Sequence, residues 1–244
     1  MPRRLLVIFL FAATGALHAQ DDEWKPQAGG GFASERDLRG VKRSGAAATG
    51  TIGGNYSGFE TEIVVARPFA NEPVETDLHA GYSIPVGSGF SATLGATEYL
   101  FSSIWPGGTK RSTELSLGGK WKAENGIAWT IDYARDLRLK ADIIEGRASY
   151  SYPLASLGAF LDFTLFAGGA HGSDLRPDAS GPEISDSYQF VGAEARIPYR
   201  VGEHLMLTAG VRFAASFGQD RAWSPVDSGS GVHSGASMAL NYEF

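Results

Sequence analysis

Apolar and polar side chains alternate along most of this chain. Ile127, Trp129, Ile131 and Tyr133 share one parity, with Ala128, Thr130, Asp132 and Ala134 between them. Leu157, Ala159, Leu161, Phe163, Leu165 and Ala167 oppose Phe160, Asp162, Thr164 and Phe166. Leu205, Leu207, Ala209, Val211 and Phe213 oppose His204, Met206, Thr208, Gly210 and Arg212, while Leu115, Leu117 and Trp121 alternate with Glu114, Ser116, Gly118 and Lys120. A period of two is the mark of extended chain, whose successive side chains leave opposite faces. Read this way, the sequence predicts twelve strands, at residues 31–39, 47–56, 59–67, 74–84, 89–101, 111–122, 126–136, 142–152, 157–169, 187–199, 203–217 and 232–244. No segment combines a 3.6-residue apolar period with capping residues, so few helices are expected.

The last stretch organises the rest. Ala236, Met238, Leu240, Tyr242 and Phe244 fall on one side, and Gly235, Ser237, Ala239, Asn241 and Glu243 on the other. A greasy strand left as a sheet edge would invite aggregation, whereas pairing it with the first strand of a barrel removes the edge. The terminal aromatic residue with apolar residues at every second position resembles the assembly signal of bacterial outer-membrane barrels, carried here by Phe244, Tyr242 and Leu240.

The links between strands sort by length. Ser57-Gly58 and the links 85–88, 123–125, 153–156 and 200–202 are short; 40–46, 68–73, 102–110, 137–141, 170–186 and 218–231 are longer, and the two kinds alternate. An outer-membrane barrel has tight periplasmic turns on one rim and longer loops on the other. Trp121, Tyr133, Tyr152, Tyr199 and Tyr242 lie near strand ends, where interfacial aromatic girdles form. The expected fold class is all-β, a transmembrane antiparallel up-and-down barrel of about twelve strands, preceded by a signal peptide.

Composition changes this picture little. Hydrophobic residues make up 43 % of the 244, and mean hydropathy is −0.12. No run approaches the ~20 apolar residues of a membrane-spanning helix, and a barrel escapes that test because half of each strand is polar. Residues 1–19 read as a secretory signal: Arg3 and Arg4, an apolar stretch over 5–13, then Leu17-His18-Ala19 before a cut at Gln20. Residues 20–28 follow as a short periplasmic leader and 29–244 as the barrel, addressed to the outer membrane. Cysteine is absent and the net charge is −6. The loss of Arg3 and Arg4 with the signal would make it −8. A mildly acidic chain without a basic tract argues against a nucleic-acid partner.

Three stretches carry a family likeness: Arg36-Asp37-Leu38-Arg39-Gly40, Gly53-Gly54-Asn55-Tyr56-Ser57-Gly58-Phe59, and Val74-Glu75-Thr76-Asp77-Leu78-His79-Ala80-Gly81-Tyr82. They resemble the TorF-type porin family of small outer-membrane β-barrels of Gram-negative bacteria, over roughly the first half of the mature chain. His79 stands where that family commonly has an aromatic residue, and Ala66-Arg67 where it often has Ser-Asn. The resemblance implies a small barrel.

Placing polar faces inward makes Glu60, Glu62, Asp77, His79, Glu114, Lys120, Asp132, Glu145, Arg147, Asp162, Glu194, Arg196 and Arg212 pore-lining candidates, with Glu243 beside them. Acids outnumber bases in this set, and fixed charge sets the potential in a pore, so cations are the expected preference. The function expected is passive passage of small solutes. The expected partners are outer-membrane lipid, the barrel assembly machinery acting on the C-terminal strand, and the solutes themselves. Two alternatives stand: a structural or adhesive barrel using the loops 170–186 and 218–231, and an outer-membrane hydrolase. For the latter, His233 and Ser234 are adjacent and so face opposite sides, and no third group is visible to orient a Ser-His device. His79 beside Asp77 invites a metal or proton site, but a lone His on a polar strand face is mostly solvated. Asp174, Asp178, Glu183 and Asp186 lack the spacing of an EF-hand loop. Gly29-Gly30-Gly31 lacks the Lys and helix of a phosphate-binding loop. No catalytic residue, metal or cofactor is expected.

Overall fold

The computed structural model describes residues 24–39, 41–105, 109–175, 184–218 and 231–244. Its strands are β1 (Lys25–Ala33), β2 (Arg36–Leu38), β3 (Val41–Ser44), β4 (Ala47–Tyr56), β5 (Phe59–Pro68), β6 (Glu75–Pro85) and β7 (Phe90–Trp105). There follow β8 (Thr109–Lys122), β9 (Ala128–Asp136), β10 (Ala141–Leu154), β11 (Ala159–Gly172), β12 (Asp186–Arg200), β13 (Leu205–Gly218) and β14 (Val232–Glu243). All but β2 and β3 form one closed barrel of twelve strands, each paired antiparallel with its neighbours. Closure runs through β1 and β14, with Gln27 opposite Glu243 and Ala33 opposite Ser237. β4 and β5 are joined by Ser57 and Gly58, both at positive φ (47° and 82°). That is the two-residue turn whose twist matches the flanking strands.

The expected signal peptide lies outside the described residues. The first strand differs from expectation: it begins at Lys25, inside the stretch read as leader, and ends at Ala33. Pairing explains this, since β4 and β14 need a partner along their length and Lys25 already sits opposite Asn55. Gly29, Gly30 and Gly31 have no side chains with which to display a period, so alternation could not mark the strand. Residues 36–38, expected to continue it, instead form the hairpin β2–β3, a separate two-stranded sheet.

The facing of the side chains settles what alternation left open. Ile131, Leu165, Val211 and Ile52 are 63 %, 62 %, 60 % and 59 % exposed, while Ala134, Phe166 and Phe190 on the opposite parity are buried. In a soluble sandwich the apolar face would be the core; here it is the outside, as in a barrel set in lipid. The periplasmic ends of the strands carry exposed Trp121, Trp129, Tyr150, Tyr152, Tyr199, Tyr242 and Phe244, a girdle at the membrane interface. Toward the other rim, outward-facing polar pairs replace them. Arg111 bonds Glu98, while Arg135 and the Tyr133 hydroxyl both bond Asp142.

Leu165 lies in the apolar belt, so Leu165→Arg places a charge against hydrocarbon. It is expected to destabilise the folded barrel by about 2–4 kcal/mol. Urea unfolding in lipid vesicles, followed by tryptophan fluorescence, measures this.

Candidate functional site

The link between β1 and β4 does not leave the barrel. It folds in as the β2–β3 hairpin and reaches across the lumen to strands on both sides. Toward one wall, Glu75 of β6 accepts from two hairpin arginines: Arg36 Nη1 at 3.0 Å and Arg43 Nη2 at 2.8 Å. Arg36 also approaches Asp77 at 3.9 Å. On β8, Glu114 takes both terminal nitrogens of Arg39, at 2.7 and 2.9 Å, the two-pronged geometry that suits guanidinium and carboxylate. Toward the opposite wall, Arg212 of β13 donates to Asp37 at 2.9 Å. His233 Nδ1 of β14 lies 3.4 Å from Glu35 Oε1.

Local geometry supports each contact. Arg39 holds positive φ (54°) at the hairpin tip, which turns its side chain toward Glu114. The Arg212 guanidinium stacks over the Phe166 ring, 4.3 Å from its centroid. Gly192 leaves room for that ring, since an added Cβ would sit 2.1 Å from Phe166 Cζ. Gly235 likewise admits the hairpin backbone, with Glu35 O only 3.1 Å from where a Cβ would be. Arg43 lies over Tyr99 and Phe101, 5.5 and 5.7 Å from their centroids, a cation–π arrangement. Burial opposes the Arg39 charge, but the Glu114 carboxylate more than offsets it and holds the guanidinium above its ordinary pKa. Burial also keeps the Asp37 carboxyl above the usual carboxylate range, even with Arg212 alongside.

The hairpin therefore occupies part of the outer half of the lumen. Between hairpin residues Leu38, Arg39, Val41 and Arg43 and the wall remains a cavity of about 50 Å³. Nearer the periplasm, a larger space of about 270 Å³ is lined by Ser149, Ser151, Asp162, Thr164, Glu194 and Arg196, among others.

Most of the sequence-predicted residues fall into three groups. Glu114, Asp77 and Arg212 hold the hairpin. Glu60 and His79 bond one another at 3.2 Å, and His79 also contacts Thr97 at 3.0 Å. Arg147 pairs with Glu145 and Arg196 with Glu194, each two residues apart on its own strand. Glu62, Lys120, Asp132 and Asp162 share inward faces with these groups but make no hydrogen bond or ion pair among the described residues. The weaker candidates also have partners. His79 faces Glu60 rather than Asp77; His233 is buried against Glu35 and Ser234 is exposed on the other face. Asp174 is held by Arg138 and Lys140. Asp178 and Glu183 lie outside the described residues, as do residues 176–183 and 219–230 of the two loops assigned to adhesion.

Sequence reasoning missed Glu35, Arg36, Asp37, Arg39, Arg43 and Glu75. One signal was available: Glu35-Arg36-Asp37 are consecutive charges, so a membrane strand through them would turn at least one charge to lipid.

Solved structures share this architecture. The KdgM porin aligns with a TM-score of 0.56 at 14 % identity, covering 89 % of this chain and 99 % of that one. The NanC porin gives 0.55 at 9 %, covering 90 % and 100 %. The KdgM porin in complex with disordered oligogalacturonate gives 0.54 at 12 %, covering 90 % and 99 %. At such identities the likeness establishes the fold, which is that of outer-membrane porins. No protein-family model matches the chain, and comparison with curated proteins gives no significant match.

The side chain of Glu75 is 4 % exposed and serves two arginines, and removing one partner of a buried ion pair costs about 3–5 kcal/mol. Glu75→Gln is therefore expected to loosen the hairpin. Because the chain has no cysteine, Leu38→Cys can report this: maleimide should label it faster in the Glu75→Gln background than with Glu75 intact.

Proposed function

We propose that this protein is an outer-membrane channel through which small hydrophilic solutes pass passively, narrowed on its extracellular side by the β2–β3 hairpin. The observation that carries the reading is a closed barrel with apolar groups outside, charged groups inside and an ion-paired hairpin across the lumen. A barrel built only as a lipid-embedded scaffold could fill its interior with apolar side chains. This one keeps Glu62, Lys120, Asp132 and Asp162 without a hydrogen bond or ion pair among the described residues, a costly arrangement unless water surrounds them. The porin fold of its structural neighbours and the TorF-type likeness support the same reading. So does the terminal Phe244, at the end of the strand through which the assembly machinery would act. We also propose the signal over residues 1–19.

The charges point to a solute class. Hairpin arginines compensate Glu75, Asp77 and Glu114, and Arg147 and Arg196 are compensated by their own glutamates. Among the thirteen pore-lining candidates, those with no hydrogen bond or ion pair among the described residues are three carboxylates, Glu62, Asp132 and Asp162, and one ammonium, Lys120. Cations and neutral solutes are favoured over polyanions, in contrast to the oligogalacturonate bound by the KdgM porin.

Planar-bilayer recording tests both statements. Purified, heat-modifiable barrel should carry an ion current with cation-selective reversal potential, and Glu62→Gln with Asp132→Asn should move that potential toward zero. A folded barrel without current would overturn the channel; an unchanged potential would overturn the selectivity.

A further inference from the structure

Asp162 of β11 and Arg196 of β12 stand directly opposite one another in the strand register. Opposite charges in that relation normally join, because the Cβ atoms of such residues are only about 5 Å apart. Here they do not. Arg196 turns its Nε to Glu194, two residues earlier on its own strand, at 2.5 Å. Glu194 is held in turn on its other side by Arg212 Nη1 at 3.7 Å. Asp162 is left without a partner among the described residues. The terminal nitrogens of Arg196 are likewise unused among them, and its side chain is 56 % exposed.

Both groups border the cavity of about 270 Å³ on the periplasmic side of the hairpin. On the same wall, Ser151 of β10 stands opposite Asp162 on the side away from Arg196, and Ser149 stands opposite Thr164, with Ser149 Oγ and Thr164 Oγ1 3.0 Å apart. Glu194, which also lines the cavity, is taken up by Arg196 Nε, so the cavity offers one uncommitted carboxylate, the terminal nitrogens of one guanidinium, and hydroxyls that can donate or accept. A carboxylate accepts from an ammonium group, and the guanidinium fork matches a second carboxylate in two-pronged fashion. A sugar would use the hydroxyls but leave the Asp162 carboxylate and the terminal nitrogens of Arg196 without a matching group. A simple cation would meet Asp162 and leave those nitrogens unused.

We propose that this cavity is a binding subsite for zwitterionic solutes of α-amino-acid type. The ammonium rests on Asp162, the carboxylate on Arg196, and a short polar side chain on the serine and threonine hydroxyls. The subsite deepens the channel reading and rests on it for its role in transport, although binding itself can be measured separately. Glu194 and Arg212 act as positioning residues, drawing Arg196 away from Asp162 so that the pair stays open to solute. Because Arg212 also grips Asp37 of the hairpin, the subsite is connected to the constriction above it.

Saturation-transfer NMR on the full barrel in detergent, titrated with L-threonine, D-arabinose, ethanolamine or L-lactate, measures binding without requiring a current. L-Threonine should bind more tightly than D-arabinose, and Asp162→Asn and Arg196→Gln should each weaken it by about tenfold, the loss of one charge-assisted contact. Ethanolamine, which has only the ammonium, should lose affinity in Asp162→Asn alone; L-lactate, with only the carboxylate, should lose it in Arg196→Gln alone. Equal affinity for L-threonine and D-arabinose, or L-threonine affinity unchanged in both heat-modifiable variants, would overturn the subsite. Swelling of wild-type proteoliposomes in D-arabinose keeps the two readings apart. Swelling without L-threonine binding removes the subsite and leaves the channel, and binding without swelling removes the channel and leaves the subsite.

Discussion

Hydrocarbon offers no partner to a backbone amide. A strand inside a bilayer must find both its hydrogen-bonding neighbours in the protein, because each unsatisfied group costs several kcal/mol. One seam therefore carries the whole structure, the pairing of β1 with β14 from Gln27 opposite Glu243 to Ala33 opposite Ser237. Without it, two edges would lie open to lipid. The seam also fixes where the chain enters the barrel, and so why the first strand starts at Lys25, before any alternation is visible. Phe244 N–H, donating to Pro26 O at 3.1 Å, ties the last residue to the first strand.

Closure creates an interior with demands opposite to those of a soluble protein. The outer surface needs only to be apolar, and exposed Leu, Ile, Val and Phe cover it. The inner surface must hold charges that lipid would reject, and the hairpin organises them. It brings Arg36, Arg39 and Arg43 to Glu75 and Glu114 on one wall, and Asp37 to Arg212 on the other. Each wall thus receives the charge it lacks, and the hairpin is held from both sides. Buried ion pairs seldom add much net stability, since desolvation consumes most of their attraction. What this network supplies is position: it settles which part of the lumen is filled and which stays open.

The division of the lumen follows from that. Above, Leu38 and Val41 stand among Phe101, Ile143 and Tyr188 around a cavity of about 50 Å³. Below the hairpin, the side chains of β10, β11 and β12 line one wall of a larger space with hydroxyls and charges. The Glu194–Arg212–Asp37 chain of contacts spans the two regions, linking the chamber to the constriction.

Much of this was legible in the sequence because alternation in a lipid-facing strand is dictated locally. Each residue's face depends only on its parity, so Glu60, Glu62, Asp132, Asp162 and Arg212 could be placed inward from their neighbours alone, and β4 and β14 stand close to where the pattern put them. Turn chemistry is equally local, as Ser57-Gly58 shows. The chain's own order thus determined a twelve-stranded barrel, its inside and its outside. Partnership was not legible. Nothing near Arg39 announces Glu114, 75 residues away, and nothing near Asp37 announces Arg212, 175 residues on. Only the closed tertiary structure decided that a loop turns inward, which charges it neutralises, and that Asp162 and Arg196 stand opposite without joining. Those outcomes depend on distances across a lumen that exists only once the first and last strands have met.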